Sequence, residues 1–168
     1  MIPGTEYNTY YGKYIDLATG KQLLPSLQDG MTNTSSFFES LPAEKQEYRY
    51  AEEKWTPKEV LLHLIDTERV FMYRAMQFAR AKNVVLEGFD QNEFAKNSRA
   101  NTRDMKDLIS EYESVRKATI AFVASCTDET LKRSGVASNN PLSVRAAAYI
   151  NSGHEIHHMN IIKERYLD

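Results

Sequence analysis

The sequence predicts an all-α protein, a four-helix bundle with a long crossover loop between its second and third helices. Four segments carry apolar residues at the three- and four-residue spacing of amphipathic helices. No segment shows the alternation of apolar and polar residues that is typical of strands. A chain of 168 residues is long enough to bury one core, so we expect residues 1–168 to form a single domain.

The composition excludes several classes of function. The net charge is -2 and basic residues are interspersed with acidic ones, so we expect no nucleic-acid partner. The N-terminus lacks the pattern of a signal peptide, and no apolar run approaches the length of a membrane helix. We therefore expect a cytoplasmic protein. Cys126 is the single cysteine and has no basic neighbour nearby in sequence, so it is interpreted as buried filler rather than a nucleophile.

Residues 1–21 are rich in tyrosine, at positions 7, 10, 11 and 14. Disordered segments are poor in aromatic residues, so this segment is expected to be irregular but packed against the bundle. The alternative is that its rings line the mouth of a substrate site.

The first two predicted helices differ in the clarity of their boundaries. The first runs from about Leu24 to Leu41 and is weakened by Gly30. The second begins with Thr56 as N-cap, Pro57 in the first turn and Glu59 completing a capping box. Its helical pattern continues to about Ala81.

The remainder of the chain contains one long loop and two more helices. Residues 82–101 show no sustained period and form the predicted crossover loop. Thr102 is the predicted N-cap of a third helix that ends near Cys126. The turn-rich segment 134–141 leads into a last helix, from about Leu142 to Tyr166.

The second and last helices are each apolar on two sides. Such a helix is either buried between neighbours or located at a subunit interface. We predict a homodimer that is joined partly through residues on these outer faces: Leu61, Ile65, Met72 or Tyr149 and Ile156. Alternatively, the tyrosine-rich N-terminal segment packs over these apolar faces.

Three of the four histidines lie between positions 154 and 158. His154 and His158 are one helical turn apart on the same side, and His157 lies off to the edge. The fourth, His63, is on the inward stripe of the second helix. Burying three imidazoles together without partners costs about 1–3 kcal/mol for each unsatisfied group, and a shared divalent cation removes that cost. The alternative is that each histidine is an ordinary residue with satisfied hydrogen bonds.

Three imidazole ligands suit zinc or nickel and leave coordination positions open, which is typical of a catalytic metal site. Asp66 and Glu59 lie about one turn on either side of the second-helix histidine and are candidates to orient it or to act as a base. Alternatively, Asp66 lies on a solvated face of the helix and Glu59 serves the capping box. Glu155 points away from the histidine face and is not expected to be a ligand. Arg74 either meets an anionic substrate group or extends its charge to solvent.

Two motifs resemble those of the DinB/YfiT-like superfamily. They are residues 54–69, KWTPKEVLLHLIDTER, and residues 153–158, GHEIHH. The residues Tyr73-Arg74-Ala75 followed by Gly88-Phe89-Asp90 are also similar to this family. The resemblance extends over nearly the whole chain.

The resemblance implies a four-helix bundle with one long crossover, a homodimer, and a zinc- or nickel-type site made by His63, His154 and His158. Members of the family include hydrolase-like proteins and thiol-dependent S-transferases or isomerases that use bacillithiol, mycothiol or glutathione. We therefore expect a metal-dependent transferase or hydrolase that acts on a small molecule, with a low-molecular-weight thiol such as bacillithiol as candidate cofactor. The alternative is a non-catalytic, metal-binding dimer that serves in interactions or the stress response.

Overall fold

The computed structural model describes residues 2–167. The long helices are α2 (Leu23–Glu39), α3 (Pro57–Arg80), α5 (Met105–Ala124) and α7 (Val144–Tyr166). The short elements are α1 (Gly12–Ala18), β1 (Val85–Leu86), α4 (Gln91–Asn97), α6 (Asp128–Lys132), β2 (Ser134–Ala137) and β3 (Asn140–Ser143). Within residues 2–167, no helix is both long and apolar enough to cross a membrane.

The four long helices form the predicted bundle. Both α2 and α3 pack against α5 and α7, so α2 and α3 lie at opposite corners. This arrangement explains the two apolar sides of α3, because each side meets a different neighbouring helix. Leu61 and Ile65 are 0% exposed and belong to the core. Assigning them to a dimer contact was therefore wrong, and the dimer itself stays a prediction.

The capping box of α3 is confirmed. The Thr56 hydroxyl oxygen accepts the backbone N–H of Glu59 at 3.1 Å, and the Glu59 carboxylate accepts the backbone N–H of Thr56 at 2.8 Å. The start predicted for the third helix was wrong. Thr102 ends a short 3-10 turn, and α5 begins at Met105 after Asp104 as N-cap.

A small three-stranded sheet corrects the expectation that the chain contains no strands. β1 pairs parallel to β2, and β2 forms an antiparallel hairpin with β3. The two turn residues Ser138 and Asn139 have φ values of 51° and 61°, as the tight turns that suit the strand twist require. Strands of two to four residues are too short to show an alternating pattern.

The sheet also changes two predicted boundaries. Leu142 belongs to β3, so the last helix begins at Val144 and not at Leu142. Segment 82–101 is not a loop without secondary structure, because β1 and α4 lie in it. It ends near the start of α3, where Asn101 hydrogen-bonds Glu59 at 3.0 Å.

The side chain of Arg116 on α5 joins all four long helices. It is 1% exposed, and it donates to Glu68 of α3 at 2.8 and 2.9 Å. It also donates to Glu155 of α7 at 2.7 and 3.1 Å and to the carbonyl of Leu27 in α2 at 3.3 Å. The register of the bundle is therefore set by one buried guanidinium and two buried carboxylates.

Gly30 makes room for this ion cluster. A Cβ at Gly30 would lie 2.0 Å from Oε1 of Glu155, so no larger residue fits there without displacing the carboxylate. The Tyr112 hydroxyl donates to the other oxygen of Glu155 at 2.6 Å. The glycine that lowers the helix propensity of α2 thus serves tertiary packing.

We predict that Arg116→Met lowers the free energy of unfolding by about 3–5 kcal/mol, because Glu68 and Glu155 stay buried without a cation. Urea unfolding measures this change. Lys117→Met is the matched control. The Lys117 side chain is 62% exposed and pairs with Glu113 on the surface, so this substitution should cost about 1 kcal/mol or less. Equal losses for the two variants would show that the ion cluster is not a principal source of stability.

Candidate metal centre

His63, His154 and His158 come together where α3 and α7 cross the middle of the bundle. The two helices run antiparallel, because the start of α3 packs with the end of α7 in one core cluster. Nε2 of His154 lies 3.2 Å from Nε2 of His63 and 2.9 Å from Nε2 of His158. The ligand atoms of all three residues lie within 4.8 Å of one another.

The two distances from Nε2 of His154 fit a shared metal ion. With metal–nitrogen bonds of about 2.0–2.1 Å, two nitrogens on one ion lie about 3.0 Å apart at a right angle and about 3.4 Å apart in a tetrahedron. The observed separations of 2.9 and 3.2 Å are close to this range. A set of three imidazole nitrogens suits divalent transition metals such as zinc and nickel.

The surroundings keep the imidazoles neutral, which is the form that binds metal. Burial lowers the pKa of His63 to about 4. Burial, followed by the neighbouring histidines, lowers the pKa values of His154 and His158 well below their usual range. The Thr67 hydroxyl lies 3.4 Å from Nδ1 of His63, one turn along α3, and can hold that ring with Nε2 towards the other histidines.

Aromatic rings cover the histidines on two sides. Trp55 packs on His63 with 4.6 Å between ring centroids, and Tyr14 packs on His154 at 5.0 Å. Tyr14 reaches this position because α1 lies directly on α7 at Gly153, where a Cβ would be 1.7 Å from the Tyr14 carbonyl oxygen. His157 also packs on Tyr14, at 5.3 Å, and is not part of the histidine cluster.

Two cavities adjoin the cluster. A cavity of about 110 Å³ has His154 in its wall, together with Tyr11, Tyr14, Phe71, Arg74 and Ser138. A cavity of about 220 Å³ has His158 in its wall, together with Tyr50, Lys54, Trp55 and Tyr166. The N-terminal segment packs on the bundle as expected, but it is not irregular, because α1 lies in it. Its tyrosines also line the first cavity, and a substrate site there stays a prediction.

Other predicted site residues lie outside the histidine cluster. Asp66 has Arg69 as its hydrogen-bond partner, at 3.4 Å, and lines neither cavity. The neighbouring residue, Thr67, contacts the imidazole instead. Glu59 serves the capping box, and Glu155 belongs to the ion cluster with Arg116.

Sequence reasoning missed the roles of Thr67, Trp55 and Tyr14. Thr67 had a usable signal, because a hydroxyl four residues after a histidine lies over the same helical face. Trp55 and Tyr14 reach the site through tertiary packing alone. The Cys126 thiol lies 3.4 Å from the carbonyl of Phe122, and burial raises its pKa, as expected of a packing residue.

The family model of the DinB superfamily matches residues 26–162. The chain belongs to the DinB superfamily. Among solved structures, YfiT from Bacillus subtilis matches this DinB-superfamily member with a TM-score of 0.75 and 15% sequence identity, over 96% of this chain and 95% of that chain. YfiT is described as a probable metal-dependent hydrolase with an unusual four-helix bundle topology. At this identity the match shows the fold. A comparison with curated protein sequences gives no match.

The depressed histidine pKa values predict that the metal-free protein loses stability on acidification. The unfolded chain takes up protons near pH 6.5, whereas folded His63 stays neutral down to about pH 4. The free energy of unfolding should therefore fall as pH drops from about 6.5 to about 5, by about 2 kcal/mol for one such histidine. Urea unfolding of chelator-treated protein measures this slope.

His63→Gln should make that slope shallower, because the variant removes one of the groups that the folded state keeps neutral. His157→Gln is the comparison variant. Burial lowers the pKa of His157 too, but its ring is only half-buried and lies outside the cluster, so this variant should change the slope less. If His63→Gln leaves the slope unchanged, burial of neutral His63 is not its source.

Proposed function

We propose that the protein is a metal-dependent enzyme that acts on a small molecule, with a catalytic divalent ion held by His63, His154 and His158. The observation that carries the proposal is that Nε2 of His154 lies 3.2 Å from Nε2 of His63 and 2.9 Å from Nε2 of His158, with the ligand atoms of all three within 4.8 Å of one another. Three protein ligands leave open positions for water or substrate, unlike the four ligands of a closed structural site. YfiT, which has the same fold, is described as a probable metal-dependent hydrolase.

When bound, the ion would act as a Lewis acid that polarises the substrate and lowers the pKa of a coordinated water or thiol. The residues of the chain supply the rest. Thr67 orients His63, and Trp55 and Tyr14 shield the imidazoles from bulk water. Burial raises the pKa of Tyr14, so its hydroxyl stays protonated at neutral pH and can only donate or accept a hydrogen bond.

The reaction is proposed to be hydrolysis or thiol-dependent transfer, with zinc or nickel as the metal. The two cavities favour a reaction of two molecules, because one adjoins His154 and the other adjoins His158. In the hydrolase the second reactant is water. In the S-transferase it is a low-molecular-weight thiol such as bacillithiol, whose sulfur would enter the larger cavity, at His158.

The first test is metal content. We predict that His63→Ala, His154→Ala and His158→Ala each abolish stoichiometric metal binding, measured by elemental analysis of gently purified protein. His157→Ala is the matched control, since it removes an imidazole from the same helix but not from the cluster. Loss of metal in His157→Ala as complete as in the other three would contradict the ligand assignment.

Metal removal should also lower stability, because the ion binds the folded chain selectively. A chelator at neutral pH should lower the melting temperature of the wild type and leave that of His63→Ala unchanged. If added zinc and nickel both fail to raise the melting temperature of the wild type, the three histidines do not form a metal site.

The second test separates the candidate reactions. Metal-loaded protein is assayed with activated esters and amides, and with an electrophile plus bacillithiol, mycothiol or glutathione. Turnover of the first group alone supports the hydrolase, and thiol-dependent turnover supports the transferase. Metal binding with no activity and no thiol binding in a titration supports a non-catalytic metal-binding bundle.

A further inference from the structure

Arg74 of α3 is a buried guanidinium in the wall of the cavity that adjoins the histidine cluster. The residue is 3% exposed, and it lines the same cavity of about 110 Å³ as His154. Nη2 donates to the carbonyl of Glu87 at 2.8 Å and to the hydroxyl of Ser138 at 3.1 Å. Within residues 2–167, no hydrogen bond to protein is made by Nη1 or Nε, so three of the five N–H groups lack a protein acceptor.

Arg74 also lacks a counter-ion. No aspartate or glutamate in the part of the chain that the structure describes forms an ion pair with it, and none contributes to its pKa. Arg116 shows the contrast, because this fully buried arginine is paired with both Glu68 and Glu155. An unpaired buried charge is costly, and proteins ordinarily pair it or neutralise it.

Two aromatic rings offset part of this cost and leave one edge of the guanidinium available. The guanidinium carbon lies 5.5 Å from the centroid of Phe71 and 5.7 Å from that of Phe89. Rings over the faces of an arginine stabilise its charge by cation–π attraction and restrict its orientation. The N–H groups of Nη1 and Nε remain free to bind a ligand.

We propose that this cavity binds the anionic group of a small-molecule substrate, a carboxylate or a phosphate, which pairs with Arg74. The planar fork of an arginine matches either oxyanion through two parallel hydrogen bonds. The cavity is several times larger than the roughly 10–15 Å³ that one water molecule needs, so it also admits a few substrate atoms beyond the oxyanion. His154 lines the same cavity, so those atoms would lie beside the proposed metal centre, and in this respect the inference rests on the proposed function.

The competing interpretation is structural. Arg74 ties Glu87, which follows β1, and Ser138 of the hairpin to α3, and it could serve that purpose alone. A purely structural arginine has no effect on anion affinity in a variant that remains folded. The two interpretations therefore differ in anion binding and not in stability.

The test is calorimetric titration of the full-length, metal-loaded protein with sodium propionate and, separately, with inorganic phosphate at constant ionic strength. We expect Arg74→Met to weaken binding of the preferred anion at least about tenfold, and Arg74→Lys to weaken it less, because lysine keeps the charge but not the fork. Arg80→Met is the matched control, since Arg80 is exposed on the same helix and outside this cavity; its affinity should match the wild type. The preferred anion identifies the substrate group.

Two results would overturn the proposal. One is a folded Arg74→Met variant whose anion affinity equals that of the wild type. If Arg74→Met does not fold, the anion affinity of Arg74→Lys is compared with that of the wild type instead. The other is no binding of either anion to the wild type at about 50 mM, far above the millimolar range of weak specific ligands.

The same titration in His158→Ala separates this proposal from the metal assignment. His158 does not line the Arg74 cavity, so the variant removes a proposed metal ligand and leaves the anion site intact. Binding that persists in His158→Ala and is lost in His158→Ala/Arg74→Met supports the anion site even if the metal proposal fails. Binding that is lost in His158→Ala but retained in Arg74→Met means that the anion binds the metal, and the Arg74 proposal is then wrong.

Discussion

The buried ion cluster around Arg116 is the interaction on which the geometry of the histidine cluster depends. Glu68 follows His63 by five residues on α3, and Glu155 directly follows His154 on α7. Because Arg116 holds both carboxylates at 2.7–3.1 Å, it sets the spacing and the register of the two helices that carry the histidines. Neither carboxylate can move away without being left buried and unpaired, so the helices have one favoured arrangement. The geometry of the three imidazoles follows from that arrangement.

The two buried arginines of the bundle serve opposite purposes. Arg116 has its charge fully matched by protein carboxylates, and it stabilises the fold. Arg74 has two neutral oxygen acceptors and two aromatic rings, and its charge faces a cavity. A buried charge without a charged protein partner lowers the stability of the fold. Such a loss is typical of functional sites, where a bound ligand supplies the missing partner.

The short elements build the walls of the site around the bundle. Helix α1 brings Tyr14 onto His154, through a contact with α7 that only glycine at position 153 permits. The sheet joins the connection after α3 to the hairpin before α7, and these two segments supply Glu87 and Ser138 to Arg74. The parts of the chain that are irregular in sequence therefore shape the cavity, while the regular helices supply the histidines.

The sequence by itself determined the features that depend on neighbours within one helical turn. The capping box from Thr56 to Glu59 and the pair of His154 and His158 both follow from local helix geometry. The inward face of His63 could be identified because apolar residues repeat on the same stripe. The sequence does not show whether a charged residue such as Glu68 is exposed to water or is paired with an arginine on another helix.

Tertiary structure decided the rest. Arg116 meets residues 39 and 48 positions away in the chain, and no periodic pattern identifies partners at that distance. Tertiary structure also placed Tyr14 and Trp55 against His154 and His63, which no spacing in the sequence indicates. Local contacts are dictated by backbone geometry, whereas the partner of a buried charge is known only when the helices pack.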